Sequence, residues 1–255
     1  MSEPTLIESL RRPGLYGKLH SHGDFIARRL PQNFISGWDA WLQEGIAVSK
    51  NVLGPAWEDK YREAPVWRFV LPPGVCGTRA WAGIVQPSVD RVGRYFPLTI
   101  AAALPGPLDA LGTLFGAAPW YAEIEREGSV AFDATASLDD LDARLETLVF
   151  PADSIAVAIE EDDDTKPMAE RIFTAAKVDL GGNISRDGAK AALNSEQIVI
   201  GRWDCVWISM DSAVAEPVLL VSKALPEPRC FCALLDGHWA EHGWEAGVSG
   251  AIPSH

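Results

Sequence analysis

The chain has 255 residues, of which 47% are hydrophobic and 22% charged, and its formal net charge at pH 7 is −13. That length suits one domain able to build its own core, and the composition is ordinary for a soluble globular protein. So acidic a chain repels phosphate backbones and anionic lipid surfaces, which argues against duplex nucleic acid as a partner and favours a basic protein surface.

The opening residues, MSEPTLIESLRRPG, lack the apolar core of a signal peptide, and no run of about 20 apolar residues occurs anywhere. Together these place the chain in the cytoplasm, with no membrane span. In the stretch 30–54, apolar residues recur at Phe34, Ile35, Trp38, Trp41, Leu42 and Ile46, the spacing of one helical face. Asn33 is placed to cap that helix and Gly54 to stop it. Residues 64–71 and 79–86 are β-rich and flank the turn PPGVCG, so they read as a hairpin or as two neighbouring strands. The apolar run 95–104 reads as a buried strand. A helical stretch covers about 107–127, interrupted near Pro119.

A clearer helix occupies 137–150, where Ser137 and Asp140 make a capping-box-like start and Leu138, Leu141, Leu145 and Leu148 share a face. Residues 153–160 read as a strand, the acidic run 160–164 as a solvated loop and about 166–178 as a helix. Beyond these, 181–190 reads as a loop, 198–209 and 217–223 as strands, and 228–239 as a late helix; 247–255 looks like a loose tail. Strands and helices interleave without an internal repeat or a separating linker. The expectation is a single α/β domain over 1–255, with helices on both faces of a mixed sheet.

Several stretches could carry chemistry. His20-x-His22-x-Asp24 is most of a dinuclear-zinc hydrolase signature. The next position is Phe25, where that motif wants another histidine, and the remaining histidines, His238, His242 and His255, lie near the C-terminus. The stretch therefore reads as a Gly-rich turn in which Asp24 caps the next segment, and no metal or cofactor is expected. Asp90, Arg91 and Arg94 lie in a turn feeding a buried strand. Two readings stay open: the arginines hold a phosphate or carboxylate, or Asp90 pairs with one of them and fixes the turn.

Ten tryptophans is many for this length. Trp38, Trp41, Trp67 and Trp81 fall on apolar phases and are expected in the core, while a subset at a rim could anchor a partner. Cys76, Cys205, Cys230 and Cys232 read as reduced structural thiols, since a disulfide framework belongs to short secreted domains. G-x-S-x-G, G-x-x-x-x-G-K-[ST], G-x-G-x-x-G and H-E-x-x-H are all absent from the sequence, so no enzyme is expected.

The blocks GLYGKLHSHGDFIARRLP, WDAWLQEGI, APVWRFVLPPGVCG and WAGIVQPSVDRVGRYFPLT, followed late by ALPEPRCFCALLDGHW, resemble the TagF family of bacterial type VI secretion accessory proteins. The first four come in the family's order over about residues 14–104, and PSVDRVGRYFPLT is the most specific. The best-matching core spans about 14–240, leaving 241–255 as a loose tail. The family's first block reads more like GKLPSRGDF, so the Gly-Asp-Phe turn is the shared part and the two histidines are a departure.

The resemblance implies a three-layer α/β/α sandwich and a regulatory role. TagF proteins repress assembly or firing of the type VI apparatus after translation, by binding Fha, a cytoplasmic scaffold with a forkhead-associated domain. Some members are fused to a phosphatase domain, for which this chain has no room. The candidate partner surface comprises His20, Asp24, Arg28, Arg29, Asp90, Arg91 and Arg94, because these charged residues cluster in glycine-rich turns beside strongly apolar segments. The alternatives are a small anion or nucleotide-binding module using Arg91 and Arg94, and a metal-dependent hydrolase using His20, His22 and Asp24.

Overall fold

In the computed structural model, residues 6–105, 108–156, 176–180, 184–195, 200–210 and 217–246 are described. Their strands are β1 (Gly14–Gly17), β2 (Ile26–Arg28), β3 (Trp67–Leu71), β4 (Ala80–Gln86), β5 (Leu98–Leu104), β6 (Ala176–Asp179), β7 (Cys205–Ser209), β8 (Val218–Ser222) and β9 (Glu245–Ala246). The helices are α1 (Leu6–Leu10), α2 (Gln32–Leu53), α3 (Trp57–Glu63), α4 (Ala110–Gly116), α5 (Ala118–Gly128), α6 (Leu138–Thr147), α7 (Arg186–Ser195) and α8 (Ala233–Asp236). All nine described strands join one sheet in the order β2-β1-β5-β4-β3-β7-β8-β6-β9.

Every pairing is antiparallel except that of β9 with β6, which is parallel over two residues. The expected mixed sheet is therefore corrected to an antiparallel one with a short parallel edge. The physical reason is connectivity. β1–β2, β3–β4, β4–β5 and β7–β8 are each consecutive among the described strands, which permits antiparallel neighbours, and the helices are inserted between such pairs rather than crossing between parallel strands.

Both sheet faces are covered, which explains why the central strands read as continuous apolar runs. Every residue of β3, β4, β5, β7 and β8 is buried. Their side chains alternate between two cores, as the period of a strand requires. Trp67, Phe69, Leu71, Trp81, Val85, Trp207 and Leu220 face α2, α3 and α8. Val70, Ile84, Ile100, Leu104, Val206, Ile208 and Leu219 face α4, α5, α6 and α7.

α2 buries Phe34, Trp38, Trp41, Leu42 and Ile46, the predicted stripe. Its N-cap is Pro31, without a side-chain cap, so Asn33 does not take the expected role; Gly54 does close the helix. The four tryptophans expected in the core are there, and each indole N–H has an acceptor: Thr99 Oγ1 at 2.8 Å for Trp38, Pro226 O at 2.7 Å for Trp41, Leu234 O at 3.1 Å for Trp67 and Cys76 O at 2.9 Å for Trp81. Gly45 lets α2 lie against the 3₁₀ turn Cys230–Cys232, since a Cβ there would sit 2.5 Å from the Phe231 ring. The interruption near Pro119 falls between α4 and α5, with the proline in the first turn of α5. Ser137 Oγ accepts from the Asp140 N–H at 3.2 Å, as a helix start requires.

Several boundaries differ from the sequence reading. Residues 186–195, part of which reads as a loop, form α7, because Ala189 and Leu193 share a buried face. Ala152–Ser154 is a 3₁₀ turn where the strand 153–160 was expected to begin, and the part of that strand from 157 on lies outside the described residues. Ala176–Asp179, at the end of the expected helix 166–178, is strand β6; the rest of that helix and the acidic run 160–164 also lie outside the described residues. The late helix is short: α8 ends at Asp236, capped by Gly237. The loose tail over 241–255 is corrected for its first part, where His242 and Trp244 are buried and β9 joins the sheet; 247–255 lies outside the described residues. All four cysteines are free and buried. Among the described residues no helix is long and apolar enough to cross a membrane.

Candidate functional site

Asp90 anchors the most structured of the candidate turns. Its carboxylate is fully buried and accepts four hydrogen bonds: from Lys18 Nζ at 2.5 Å, from Arg94 Nε at 2.6 Å, and from the backbone N–H groups of Val92 at 3.0 Å and Arg94 at 2.8 Å. Lys18 is itself only 5% exposed. Burial alone would raise the Asp90 pKa, but the hydrogen bonds from Lys18, Arg94 and Val92 outweigh it and hold the carboxyl well below the usual carboxylate range. Asp90 thus fixes the turn from inside and offers a partner no surface of its own.

A second turn, 20–25, docks on the first. The Arg91 N–H donates to His22 O at 2.9 Å, and the Arg94 guanidinium donates to Gly23 O. Phe25 stacks on Tyr16 with centroids 5.8 Å apart, meets Phe96 edge-on at 4.7 Å and lies 5.1 Å from the Lys18 ammonium. Even so, Phe25 is 48% exposed, and Val92 at the tip of the neighbouring turn is 67% exposed. The two turns therefore present Asp24, Phe25, Arg91, Val92 and Arg94 outward from a rigid base. Phe25 and Val92 are absent from the candidates that charge clustering picks out. The signal that points to Phe25 is a large aromatic in a polar turn, at the position where the zinc motif would need a histidine.

Arg94 is committed to Asp90 and Gly23, which leaves Arg91 as the member of the pair whose side chain has no partner among the described residues. A clamp of both arginines on one anion is not formed. His20 is half-buried and its backbone N–H donates to Ala131 O at 3.1 Å, while His22 Nδ1 lies 2.9 Å from Ser21 Oγ. His20, His22 and Asp24 do not converge as ligands. Among the described residues, the three side chains whose ligand atoms do converge, within 4.8 Å, are Asp236, His238 and His242.

Arg28 and Arg29 lie at the far end of β2 from Phe25. Arg28 is exposed and 3.8 Å from Asp139. Arg29 adopts φ 57°, a left-handed conformation costly for a side chain with a Cβ. It is held there by Nε donating to Pro13 O at 3.0 Å and by an ion pair with Asp142 at 2.6 Å. Arg29 also lines a cavity of about 220 Å³, together with Arg12, Arg79, Trp81, Ala101 and Ala103. The alanines make the space: they lie on the α2 face of β5, where the neighbouring strand carries Trp81. The structure thus splits the seven candidates between a turn platform (His20, Asp24, Asp90, Arg91 and Arg94) and an arginine-lined edge (Arg28 and Arg29).

A family model described as the TagF N-terminal domain, type VI secretion system-associated, matches residues 14–148. The chain belongs to the TagF family. The match takes in both turns of the platform, β1 through β5 and α2 through α6. Asp236, His238 and His242 lie beyond it. A crystal structure of PA0076 from Pseudomonas aeruginosa PAO1 is similar to this TagF chain along nearly all of its length, with a TM-score of 0.70 and 32% identity, covering 95% of this chain and 99% of that one. A search of curated proteins finds no match. The TagF assignment carries a type VI secretion-associated accessory role with it.

Proposed function

We propose that this TagF protein is a cytoplasmic, non-enzymatic regulator that represses assembly or firing of a type VI secretion system after translation, by binding the Fha scaffold. Family membership supports the setting. The single observation that carries the mode of action is the platform formed by two docked turns, with half-exposed Phe25 beside exposed Val92 and Arg91, all fixed from below by buried Asp90. An aromatic and an arginine on a preorganised base are the residue types that concentrate binding energy at protein interfaces. Occupying the scaffold then lowers the population competent for assembly by mass action. We extend the reading to a three-layer α/β/α scaffold, supported by the two apolar cores on opposite faces of the sheet.

The test is calorimetry of purified protein against Fha from the same system, with Phe25→Ala and Arg91→Glu as variants. Binding that weakens about tenfold or more in stably folded variants supports the reading, and unchanged affinity removes the platform from it. The anion-binding alternative moves from Arg91 and Arg94 to the cavity with Arg12, Arg29 and Arg79. Titration with nucleotides and inorganic phosphate separates it, because Arg79→Ala would abolish anion binding and leave Fha binding intact.

A further inference from the structure

We propose that Asp236, His238 and His242 form a binding site for a divalent transition-metal ion, with zinc as the fitting species. The inference stands apart from the scaffold-binding reading, since the three residues lie outside the platform and outside the matched N-terminal domain. It also departs from the expectation of no metal, and from the place where His20 and His22 draw attention.

Backbone reversal builds the site. α8 ends at Asp236, and Gly237 follows in the left-handed conformation at φ 74°. The chain then makes the 3₁₀ turn Ala240–His242 and reverses again at Gly243, φ 88°. The two reversals bring His242 back over Asp236. His242 Nε2 lies 2.8 Å from Asp236 Oδ2, and His238 Nδ1 lies 3.3 Å from the same oxygen. A tetrahedral ion with ligand bonds of about 2.0–2.1 Å needs ligand atoms roughly 3.3 Å apart, so both nitrogens sit within about half an ångström of that spacing from the oxygen.

The surroundings fit a held ion. The Asp236 and His242 side chains are 2% and 6% exposed, whereas His238 is 59% exposed and leaves an open approach for the ion and a water ligand. Asp236 Oδ1 accepts the His238 backbone N–H at 2.9 Å, which fixes the carboxylate and turns Oδ2 toward the imidazoles, the supporting contact that metal-ligating carboxylates use. Two imidazole nitrogens and one carboxylate oxygen select zinc and its borderline neighbours over magnesium or calcium, which prefer all-oxygen shells. A hydrogen-bonded pair of Asp236 and His242 would account for the buried residues alone. The Asp236–His238 turn adds a second, exposed imidazole within 3.3 Å of the same oxygen, which completes a three-ligand set.

A bound ion would pin the segment beyond α8. That segment carries Trp244, buried with its indole N–H donating to Cys230 O at 2.9 Å, and β9 at the sheet edge. The experiment uses the full chain without a histidine tag, stripped with a chelator and titrated with Zn²⁺ and Co²⁺. The expected result is one ion per chain, a thermal midpoint that rises with free Zn²⁺, and visible Co²⁺ bands of tetrahedral intensity. His238→Ala should weaken Zn²⁺ at least about tenfold while leaving the metal-free midpoint unchanged, because that side chain is exposed. Absence of Zn²⁺ uptake at micromolar concentration, or equal affinity in His238→Ala, overturns the proposal. His238→Gln gives a second reading on the same exposed position, with no risk to the buried Asp236–His242 pair.

Discussion

Replacing Asp90 by Asn keeps the shape of the side chain and removes its charge. The amide oxygen of the new side chain can still accept the backbone N–H groups of Val92 and Arg94. Arg94, 60% exposed at its side chain, can turn to water. Lys18 cannot, because it is buried and its ammonium is aimed at the carboxylate from 2.5 Å. The loss is that of a buried pair broken on one side, about 3–5 kcal/mol. For a domain of this size that lowers the thermal midpoint by roughly 6–20 °C. The assay is urea denaturation with thermal melting, for wild type, Asp90→Asn and the double variant with Lys18→Met, which removes the stranded charge and should recover much of the loss. The sign with pH comes from the depressed Asp90 pKa: its contribution is present above the unfolded carboxyl value near 4 and is lost as pH falls through the lower folded value. Asp90→Asn should therefore lose Asp90's own share of the acid-dependent stability, giving a shallower fall below about pH 4 than wild type. A variant within about 1 kcal/mol of wild type, with no rescue by Lys18→Met, would refute the reasoning.

Gly45→Ala should destabilise by about 1–3 kcal/mol in denaturant titration, because its Cβ would fall 2.5 Å from buried Phe231 and overpacking outweighs the gain of about 1 kcal/mol in helix propensity. Phe25→Ala should lower the thermal midpoint by roughly 2–6 °C, through its lost contacts with Tyr16 and Phe96, while weakening Fha binding by about 1.4 kcal/mol or more, read by calorimetry. In thiol labelling of native protein at neutral pH, all four cysteines should stay silent and then react together on unfolding. All are buried, and desolvation pushes the Cys76 thiol up to about 12 and the Cys232 thiol to about 11, where Asp236 adds to the effect.

The central strands and α2 were legible in the residues because burial on both sheet faces leaves unbroken apolar runs, and the 3.6 period of Phe34, Trp38, Trp41 and Ile46 has no competing reading. α7 was hidden by Gly181, Gly182 and Gly188, which weight 181–190 toward a loop, although Ala189 and Leu193 lie four apart and bury together. The internal pairing of Asp90 with Arg94 was one of the two readings of its turn. The stronger partner, Lys18, lies 72 residues away and has no local trace. The same distance effect hides Phe25, whose exposure depends on how Tyr16 and Phe96 shelve it. The spacing of Asp236, His238 and His242 is plain in the chain, but the two reversals that turn spacing into proximity are not.

Among the described residues, the outermost strands of the sheet are short: β2 has three residues on one side and β9 two on the other. Strands this short give a neighbouring chain little to pair with, one of the ways sheets discourage edge-to-edge growth. The platform of Phe25 and Val92 fits that economy, since what it offers a visitor is protruding side chains rather than bare backbone.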